Sequence, residues 1–339
     1  MNNSVKVGAL SLCVMIIFFI ATPQSNITQA FAIALLIFAW TLFIFIIGIP
    51  AWRNSLRKYL NYIHPTHIPV IFVIIPYIIL IISGGTQLDS VIELTLWYLI
   101  PSILFLLPEV FEEKMNPDQF PVIRIVVTVI ATGILWIGFD NRYTSVLFDG
   151  FKGASYILNA IWMACIMMIT FGRYIGVEDP KNEYDKGMAL NKYGIKIAII
   201  AMPIASIIII PFGLLTGFLQ WDPQKFDILV ITISFIGIFL TIALQEELVF
   251  RGIMQNELTK LKIAKENKYA EYGIIILVTA AFALSHWNND VPPFVFYYII
   301  AAFIAGLAYA ISYKKGGLFA SMITHTLIDW IWGLLFKRP

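Results

Sequence analysis

Long apolar runs alternate with short polar connections along the whole chain. A helix needs about 20 mainly apolar residues to cross the hydrocarbon of a bilayer, and reading with that window predicts about eleven spans. The predicted spans are Val5–Ala21, Ala30–Trp52, His67–Ser83, Val91–Leu107, Phe120–Gly138, Gly153–Gly172, Gly194–Leu219, Phe226–Leu261, Tyr272–Trp287, Pro293–Tyr313 and Leu318–Phe336. The pattern therefore predicts an all-α fold, a polytopic transmembrane helical bundle.

The charges in the connections predict how the chain crosses the membrane. Lysine and arginine are more frequent in cytoplasmic loops than in external ones. Placing the amino terminus in the cytoplasm puts "RNSLRK", "RYIGVEDPKNEYDK" and "KLKIAKENK" on that side, and "PQSNITQ", "GGTQLD" and "NNDVPP" outside. We therefore expect a multi-pass protein of the cell membrane with a cytoplasmic amino terminus.

The longest polar connection, Arg173–Lys192, predicts a division of the chain into two parts. Residues 1–172 form an amino-terminal transmembrane block whose role the sequence does not indicate. Residues 173–339 also contain apolar runs, but here ionisable residues lie within or beside them. We therefore expect the functional residues in the second part.

Composition identifies the environment of the protein and excludes one class of partner. Hydrophobic residues make up 59% of the chain and charged residues 13%, and the mean hydropathy is +0.82. These values are typical of membrane proteins. The formal net charge of +2 is small, and the basic residues lie in separate loops. We therefore expect contact with the lipid bilayer and no nucleic-acid partner.

The segment "TIALQEELVFRG" places two glutamates and an arginine in an apolar run. One charged residue at the centre of a bilayer costs about 2.5–3.5 kcal/mol on insertion scales. Glu247 and Arg251 are four residues apart and share a helix face, where they can pair, whereas Glu246 points about 100° away. A simpler alternative is that the helix ends at Leu244 and the charges mark its exit to water.

Three more ionisable residues lie at two places in the last predicted spans. His286 closes the span that begins near Tyr272, and His325 and Asp329 lie four residues apart on one face of the last span. Histidine at a span end is often an interfacial residue, and a His–Asp pair can be a packing hydrogen bond. Inside a bilayer, however, an ionisable residue is a functional-site hypothesis by default.

Spacing predicts that Glu246 and His286 meet. The basic segment from Leu261 to Glu271 is typical of a turn between antiparallel helices. Glu246 lies about 15 residues before this turn, and His286 lies about 15 residues after it. At a rise of 1.5 Å per residue, both side chains would lie roughly 22 Å from the turn, at a similar depth on neighbouring helices. This requires one helix to run through Glu246 and Arg251. A carboxylate and an imidazole held together can activate water for hydrolysis, and a second histidine beside a carboxyl group can stabilise an oxyanion.

Three motifs occur in a fixed order: EExxxR from Glu246 to Arg251, FxxxH from Phe282 to His286, and HxxxD from His325 to Asp329. This order resembles the CPBP family, which contains type II CAAX prenyl endopeptidases and bacterial relatives that process or resist bacteriocins. The "FRG" after the glutamates and the glycine pair before the last motif are also similar. The resemblance runs from about Phe226 to the carboxyl terminus and implies a CPBP-type catalytic core within residues 173–339.

The resemblance implies a role for each motif residue. Glu246 and His286 would activate the attacking water, and His325 with Asp329 would form the oxyanion site. Supporting roles would fall to Glu247, Arg251 and Phe282, with Phe282 shaping the packing of His286. Asp329 departs from the asparagine typical of the prenyl proteases. Because an ionised aspartate donates no hydrogen bond, it must be protonated, or must orient His325 and keep it cationic.

The function implied by the resemblance is hydrolysis of a peptide bond near the membrane, in a prenylated CAAX-type tail or in a bacteriocin or peptide precursor. We expect glutamate chemistry without a cofactor; the alternative mechanism is a zinc-dependent one, with zinc held by Glu246, His286 and His325. The chain contains no HExxH or GxGD motif. A non-proteolytic membrane binding, immunity or scaffold protein with the same fold is the other reading, whereas charges gathered in the last four spans disfavour a transporter.

Overall fold

The computed structural model describes residues 11–16, 27–47, 120–142, 192–225, 227–288 and 294–337, with isolated positions at 55, 78, 100, 101, 103, 104 and 107. The chain divides into two compact units, Met1–Val177 and Glu178–Pro339. The functional division predicted between residues 172 and 173 stays a prediction. The predicted spans His67–Ser83, Val91–Leu107 and Gly153–Gly172 lie wholly or largely outside the described residues.

The described part of the first unit is helical. Helix α1 runs over Ile27–Ile47 and helix α2 over Phe120–Arg142, and residues 11–16 are also helical. These three segments overlap three predicted spans, and α1 begins three residues before the predicted Ala30. Both long helices are apolar because their sequences consist mostly of isoleucine, leucine, valine, alanine and phenylalanine.

Among its described residues, the second unit contains four helices that are long and apolar enough to cross a membrane. These four are α3 over Lys192–Leu215, α4 over Ile228–Thr259, α6 over Lys268–Leu284 and α7 over Val295–Leu335. The short helix α5, Lys262–Glu266, lies between α4 and α6. Helix α6 continues as a 3₁₀ turn over Ser285–Asn288. The fold is thus mostly helical, as predicted for an all-α membrane protein. The total of about eleven spans stays a prediction.

Helix α4 carries the glutamates and runs through them without a break. The side chain of Asp227 caps its first turn by accepting hydrogen bonds from the backbone N–H groups of Leu229 and Val230. Two π-helical stretches, Phe239–Ala243 and Leu248–Gln255, flank the short α-helical segment that contains both glutamates. The helix therefore does not end at Leu244. Such π-helical turns occur frequently at functional sites.

The turn between α4 and α6 differs in detail from the prediction. It contains the short helix α5, and α6 begins at Lys268, four residues before the predicted Tyr272. The side chain of Asn267 caps α6 by accepting a hydrogen bond from the backbone N–H of Tyr269. The polar residues of the first turn had suggested that α6 begins later. The cap provided by Asn267 stabilises this polar turn as part of the helix.

Helix α7 reverses direction at Gly317, whose φ of 79° and ψ of −174° are not helical. Ser321 Oγ lies 2.9 Å from the carbonyl oxygen of Tyr309, and Thr324 Oγ1 lies 2.9 Å from Ser312 Oγ. Residues twelve apart on one straight helix would lie about 18 Å apart. Residues 295–316 and 318–335 are therefore two antiparallel arms, α7a and α7b, and they correspond to the last two predicted spans.

A small antiparallel ladder connects the loop after α3 to the residues that follow α7b. Strand β1, Gln220–Trp221, pairs with strand β2, Phe336–Lys337, with Trp221 opposite Phe336. The backbone N–H of Asp222 donates to the carbonyl of Leu335 at 3.0 Å. The backbone N–H of Leu219 donates to the carbonyl of Gly213 at 2.9 Å, which turns the loop back against the end of α3. Helix α3 packs mainly against α7.

We predict that Gly317→Ala destabilises the second unit, because a side chain is strained at a φ of 79°. Strain of this kind costs on the order of 1–3 kcal/mol. The matched control is Gly273→Ala in α6, where an added Cβ meets nothing within 4 Å. Thermal unfolding of the purified protein in detergent micelles should show a lower midpoint for Gly317→Ala only, and equal midpoints for both variants would contradict the hairpin geometry.

Candidate active site

Three helices bring Glu246, His286 and His325 together. Glu246 Oε2 lies 3.9 Å from His286 Nε2 and 3.7 Å from His325 Nε2. Both separations exceed a direct hydrogen bond. The same carboxyl oxygen is buried and has no hydrogen-bond partner in the structure, and the Glu246 side chain is only 15% exposed. The glutamate therefore presents an unsatisfied oxygen between two imidazole nitrogens.

The hydrogen bonds of His286 fix which ring nitrogen faces Glu246 as an acceptor. His286 Nδ1 lies 2.9 Å from the carbonyl oxygen of Phe282. Because a carbonyl only accepts hydrogen bonds, Nδ1 must carry the hydrogen, and in the neutral ring Nε2 then presents a lone pair. The 3₁₀ turn after α6 directs this nitrogen towards Glu246. A water molecule beside the two groups would meet two proton acceptors.

His325 has a carboxyl group at each ring nitrogen. Nδ1 lies 2.8 Å from Glu247 Oε1, and Nε2 lies 3.4 Å from Asp329 Oδ2. The ring of Tyr309 stacks on the imidazole, with centroids 4.3 Å apart and planes 11° apart. Contacts at both edges and on one face therefore hold the orientation of this ring.

Glu247 and Arg251 form the ion pair that their spacing predicts, and both side chains are fully buried. Arg251 Nη1 lies 3.3 Å from Glu247 Oε1, and Arg251 Nη2 donates to the carbonyl of Gly306 at 2.9 Å. The guanidinium carbon lies 4.3 Å from the centroid of Phe282. Ser321 Oγ contacts Glu247 Oε2. The pair thus connects α4 with α6 and with both arms of α7.

Gly306 permits the close approach of α7a to the ion pair. A Cβ at this position would lie 2.8 Å from Phe282 Cδ1, 2.9 Å from Thr279 Cγ2 and 3.1 Å from Arg251 Nη2. A side chain here would displace either the aromatic ring or the guanidinium. The absence of a side chain at Gly306 therefore lets its carbonyl reach Arg251.

The structure brings the seven residues singled out from the sequence into one cluster, and it adds three others: Ser321, Tyr309 and Gly306. Ser321 could have been found, because it lies four residues before His325 on the same helix face. Tyr309 and Gly306 lie on the other arm of α7. Their positions become visible only when the chain is known to reverse at Gly317.

Glu246, His286 and His325 are the side chains that could hold a zinc ion. Among the residues that the structure describes, no group of three His, Cys, Asp or Glu side chains is arranged to hold a metal. Ligand atoms about 2.1 Å from a tetrahedral ion lie roughly 3.4 Å apart. The separations of 3.9 and 3.7 Å from Glu246 to the two histidines are wider. As they stand, these side chains do not fit zinc.

Apolar helices that enclose paired carboxyl and imidazole groups define a membrane-embedded protein with a site suited to acid–base chemistry. Residues 228–331 match the family model described as type II CAAX prenyl endopeptidase, Rce1-like. The match covers less than a third of the chain and contains all seven predicted site residues. No curated protein and no solved structure matches the chain.

The match confirms the predicted resemblance to the CPBP family for this segment. The family is one of proteases, so the match indicates a hydrolase that acts on a peptide or protein. The four apolar helices of the second unit and the family together indicate a membrane location. The roles of individual residues rest on the geometry of the site.

We predict that Arg251→Met destabilises the second unit strongly, because it leaves the buried Glu247 carboxylate without its cation. Removing one partner of a buried pair costs about 3–5 kcal/mol. Arg251→Met combined with Glu247→Gln should be less damaging than Arg251→Met alone. Chemical unfolding in detergent measures both variants.

The matched control for this prediction is Lys262→Met. Lys262 and Glu266 are also four residues apart, but their side chains are 85% and 64% exposed. Exposed pairs contribute little to stability. An Arg251→Met variant that unfolds like Lys262→Met would show that the buried pair does not stabilise the helix bundle.

Proposed function

We propose that residues 173–339 form the core of an intramembrane endopeptidase that hydrolyses a peptide bond with water activated by Glu246 and His286. One observation carries the proposal: a buried, unsatisfied carboxyl oxygen of Glu246 faces Nε2 of both histidines at 3.9 and 3.7 Å. The amino-terminal block would complete a multi-pass bundle of about eleven spans, with the amino terminus in the cytoplasm.

In the proposed first step, a water molecule binds beside Glu246 and His286. One of these two groups takes a proton from the water, and the oxygen attacks the carbonyl carbon of the substrate. The carbonyl π electrons move to the oxygen, so a tetrahedral oxyanion forms. The hydrogen bond from His286 Nδ1 to the carbonyl of Phe282 supports this role, because it leaves Nε2 free as the acceptor.

The oxyanion would be stabilised by the Nε2–H group of His325 in its cationic form. Asp329 cannot donate a hydrogen bond when ionised, so we assign it to orienting His325 and keeping it cationic. The 3.4 Å separation of Asp329 Oδ2 from His325 Nε2, and the 2.8 Å contact of Nδ1 with Glu247, support this assignment. A preorganised donor of this kind stabilises the charge that develops in the transition state.

In the second step, the carbon–nitrogen bond breaks and the oxyanion electrons restore the carbonyl. The leaving amine receives the proton that Glu246 and His286 hold, and the site returns to its starting state. Both products are peptides, one with a new carboxylate and one with a new amine. Glu247, Arg251 and Phe282 touch neither water nor substrate in this scheme and hold the imidazoles in place.

The substrate in this proposal is a peptide segment at the membrane, either a prenylated CAAX-type tail or a bacteriocin or peptide precursor. The name of the matched family supports the first of these. The proposed mechanism requires no cofactor. A farnesylated CAAX peptide and its unmodified counterpart are the first probes.

We predict that Glu246→Gln and His286→Ala each lower the cleavage rate by at least about 100-fold, because each removes a proton acceptor from the water. Glu266→Gln is the matched control, since this glutamate is exposed on α5. Mass spectrometry of the products gives rates and cleavage positions. Equal rates for Glu246→Gln and Glu266→Gln would contradict the mechanism, whereas absence of cleavage by the wild type would favour a binding, immunity or scaffold role.

We predict that metal chelators leave cleavage unchanged. The purified protein is incubated with 1,10-phenanthroline, and its rate is compared with that of an untreated sample. Metal content is measured on the same preparation by plasma mass spectrometry. Loss of activity that returns on adding zinc would reverse the assignment and make Glu246, His286 and His325 metal ligands.

A further inference from the structure

A cavity of about 190 Å³ lies beside the proposed active site. Asp329 lines it, and α4 contributes Ile238 and Ile242. Trp332 and Gly333 of α7b form the opposite wall. Apart from the carboxyl group of Asp329, the side chains in these walls are mainly apolar. The cavity therefore suits an apolar group that is attached to polar atoms near the carboxyl group of Asp329.

The cavity continues the active site by one helical turn. Asp329 belongs to both, because its Oδ2 lies 3.4 Å from His325 Nε2. Ile242 precedes Glu246 by four residues, and Gly333 follows Asp329 by four. Asp329 and Gly333 share a face of α7b, and Ile242 and Glu246 lie about one turn apart where α4 changes from π-helical to α-helical geometry. Helices α4 and α7b thus both extend from the reacting groups towards the cavity.

The loop ladder contributes to one side of the cavity. Leu219, which directly precedes β1, and Phe336 of β2 complete the lining. The ring of Trp221 packs edge-on against Phe336, with centroids 5.3 Å apart. The pairing of β1 with β2 therefore holds two of the apolar side chains that line the cavity.

The volume indicates an occupant of one side chain. A protein cavity of about 150 Å³ holds a benzene molecule, whereas pockets for larger ligands measure about 300–1,000 Å³. A cavity of about 190 Å³ thus accommodates a leucine, methionine or phenylalanine side chain and is smaller than a whole lipid or prenyl chain. The Asp329 carboxylate at its edge disfavours acidic side chains.

We infer that this cavity is a specificity pocket that takes a large apolar side chain of the residue next to the scissile bond. The inference rests on the proposed function. Adjacent residues of an extended peptide are separated by about 3.3–3.6 Å along the chain. A peptide whose reacting carbonyl lies at Glu246 and His325 can therefore place a neighbouring side chain past Asp329 into the cavity.

Gly333 lines the pocket at a point where a side chain has space. It lines the cavity, and a Cβ added at this position meets nothing within 4 Å. A larger side chain here would occupy the space of the substrate side chain without first displacing a neighbour. Gly333→Ala and Gly333→Leu form a graded series. Gly273→Leu is the matched control, because this helical glycine is equally free of neighbours and does not line the cavity.

The test uses the full chain in detergent micelles and internally quenched peptides that carry Ala, Leu, Phe, Lys or Asp on either side of the scissile bond. We expect the wild type to prefer Leu or Phe over Ala by at least about 10-fold in kcat/KM at one of these positions. Gly333→Leu should lower this Leu-to-Ala ratio about 10-fold, and Gly333→Ala should lower it less. Gly273→Leu should leave the ratio at the wild-type value.

A binding measurement separates the pocket from the chemistry. Fluorescence anisotropy gives the Kd of the same peptides for the Glu246→Gln protein, and for that protein carrying Gly333→Leu. The Leu-to-Ala ratio in Kd should be lost in the Gly333→Leu background. Cleavage with a ratio that Gly333→Leu does not alter, or a preference for Lys, would overturn the pocket and leave the endopeptidase standing. Absence of both cleavage and binding in the wild type would overturn both proposals.

Discussion

The buried ion pair of Glu247 and Arg251 is the interaction on which the rest of the site depends. Burying two charges costs more than their attraction returns unless further hydrogen bonds satisfy them. Here those bonds come from other helices: Gly306 accepts from Arg251, while His325 and Ser321 contact Glu247. The hydrogen bonds that the Glu247–Arg251 pair requires therefore determine how α4 and both arms of α7 approach each other. They also position His325.

Much of this arrangement follows from the sequence. Hydropathy located the helices of the second unit, and counting residues from the turn after α4 predicted that Glu246 and His286 meet, although α6 begins earlier than its polarity suggested. The i,i+4 rule predicted the Glu247–Arg251 pair. Local periodicity carries this information because each relation lies within one helix or between helices joined by a short turn.

The remaining features depend on long-range packing and could not be predicted. The reversal at Gly317 is one backbone conformation, and it alone determines that Tyr309 stacks on His325. The cavity beside Asp329 depends on a two-residue ladder between segments more than 100 residues apart, which no periodicity reveals.

The spacing of these contacts along the chain has a consequence for biosynthesis. Glu247 meets Arg251 four residues later, but Ser321 follows it by 74 residues and His325 by 78. Because a chain is made from its amino terminus, α4 emerges with only its local partner. The Glu247–Arg251 ion pair can partly neutralise the charges of α4 before the later helices are made. The last hairpin then completes the hydrogen bonds of Glu247. Assembly of the site thus follows the order of translation, and the arm that carries His325 and Asp329 is added last.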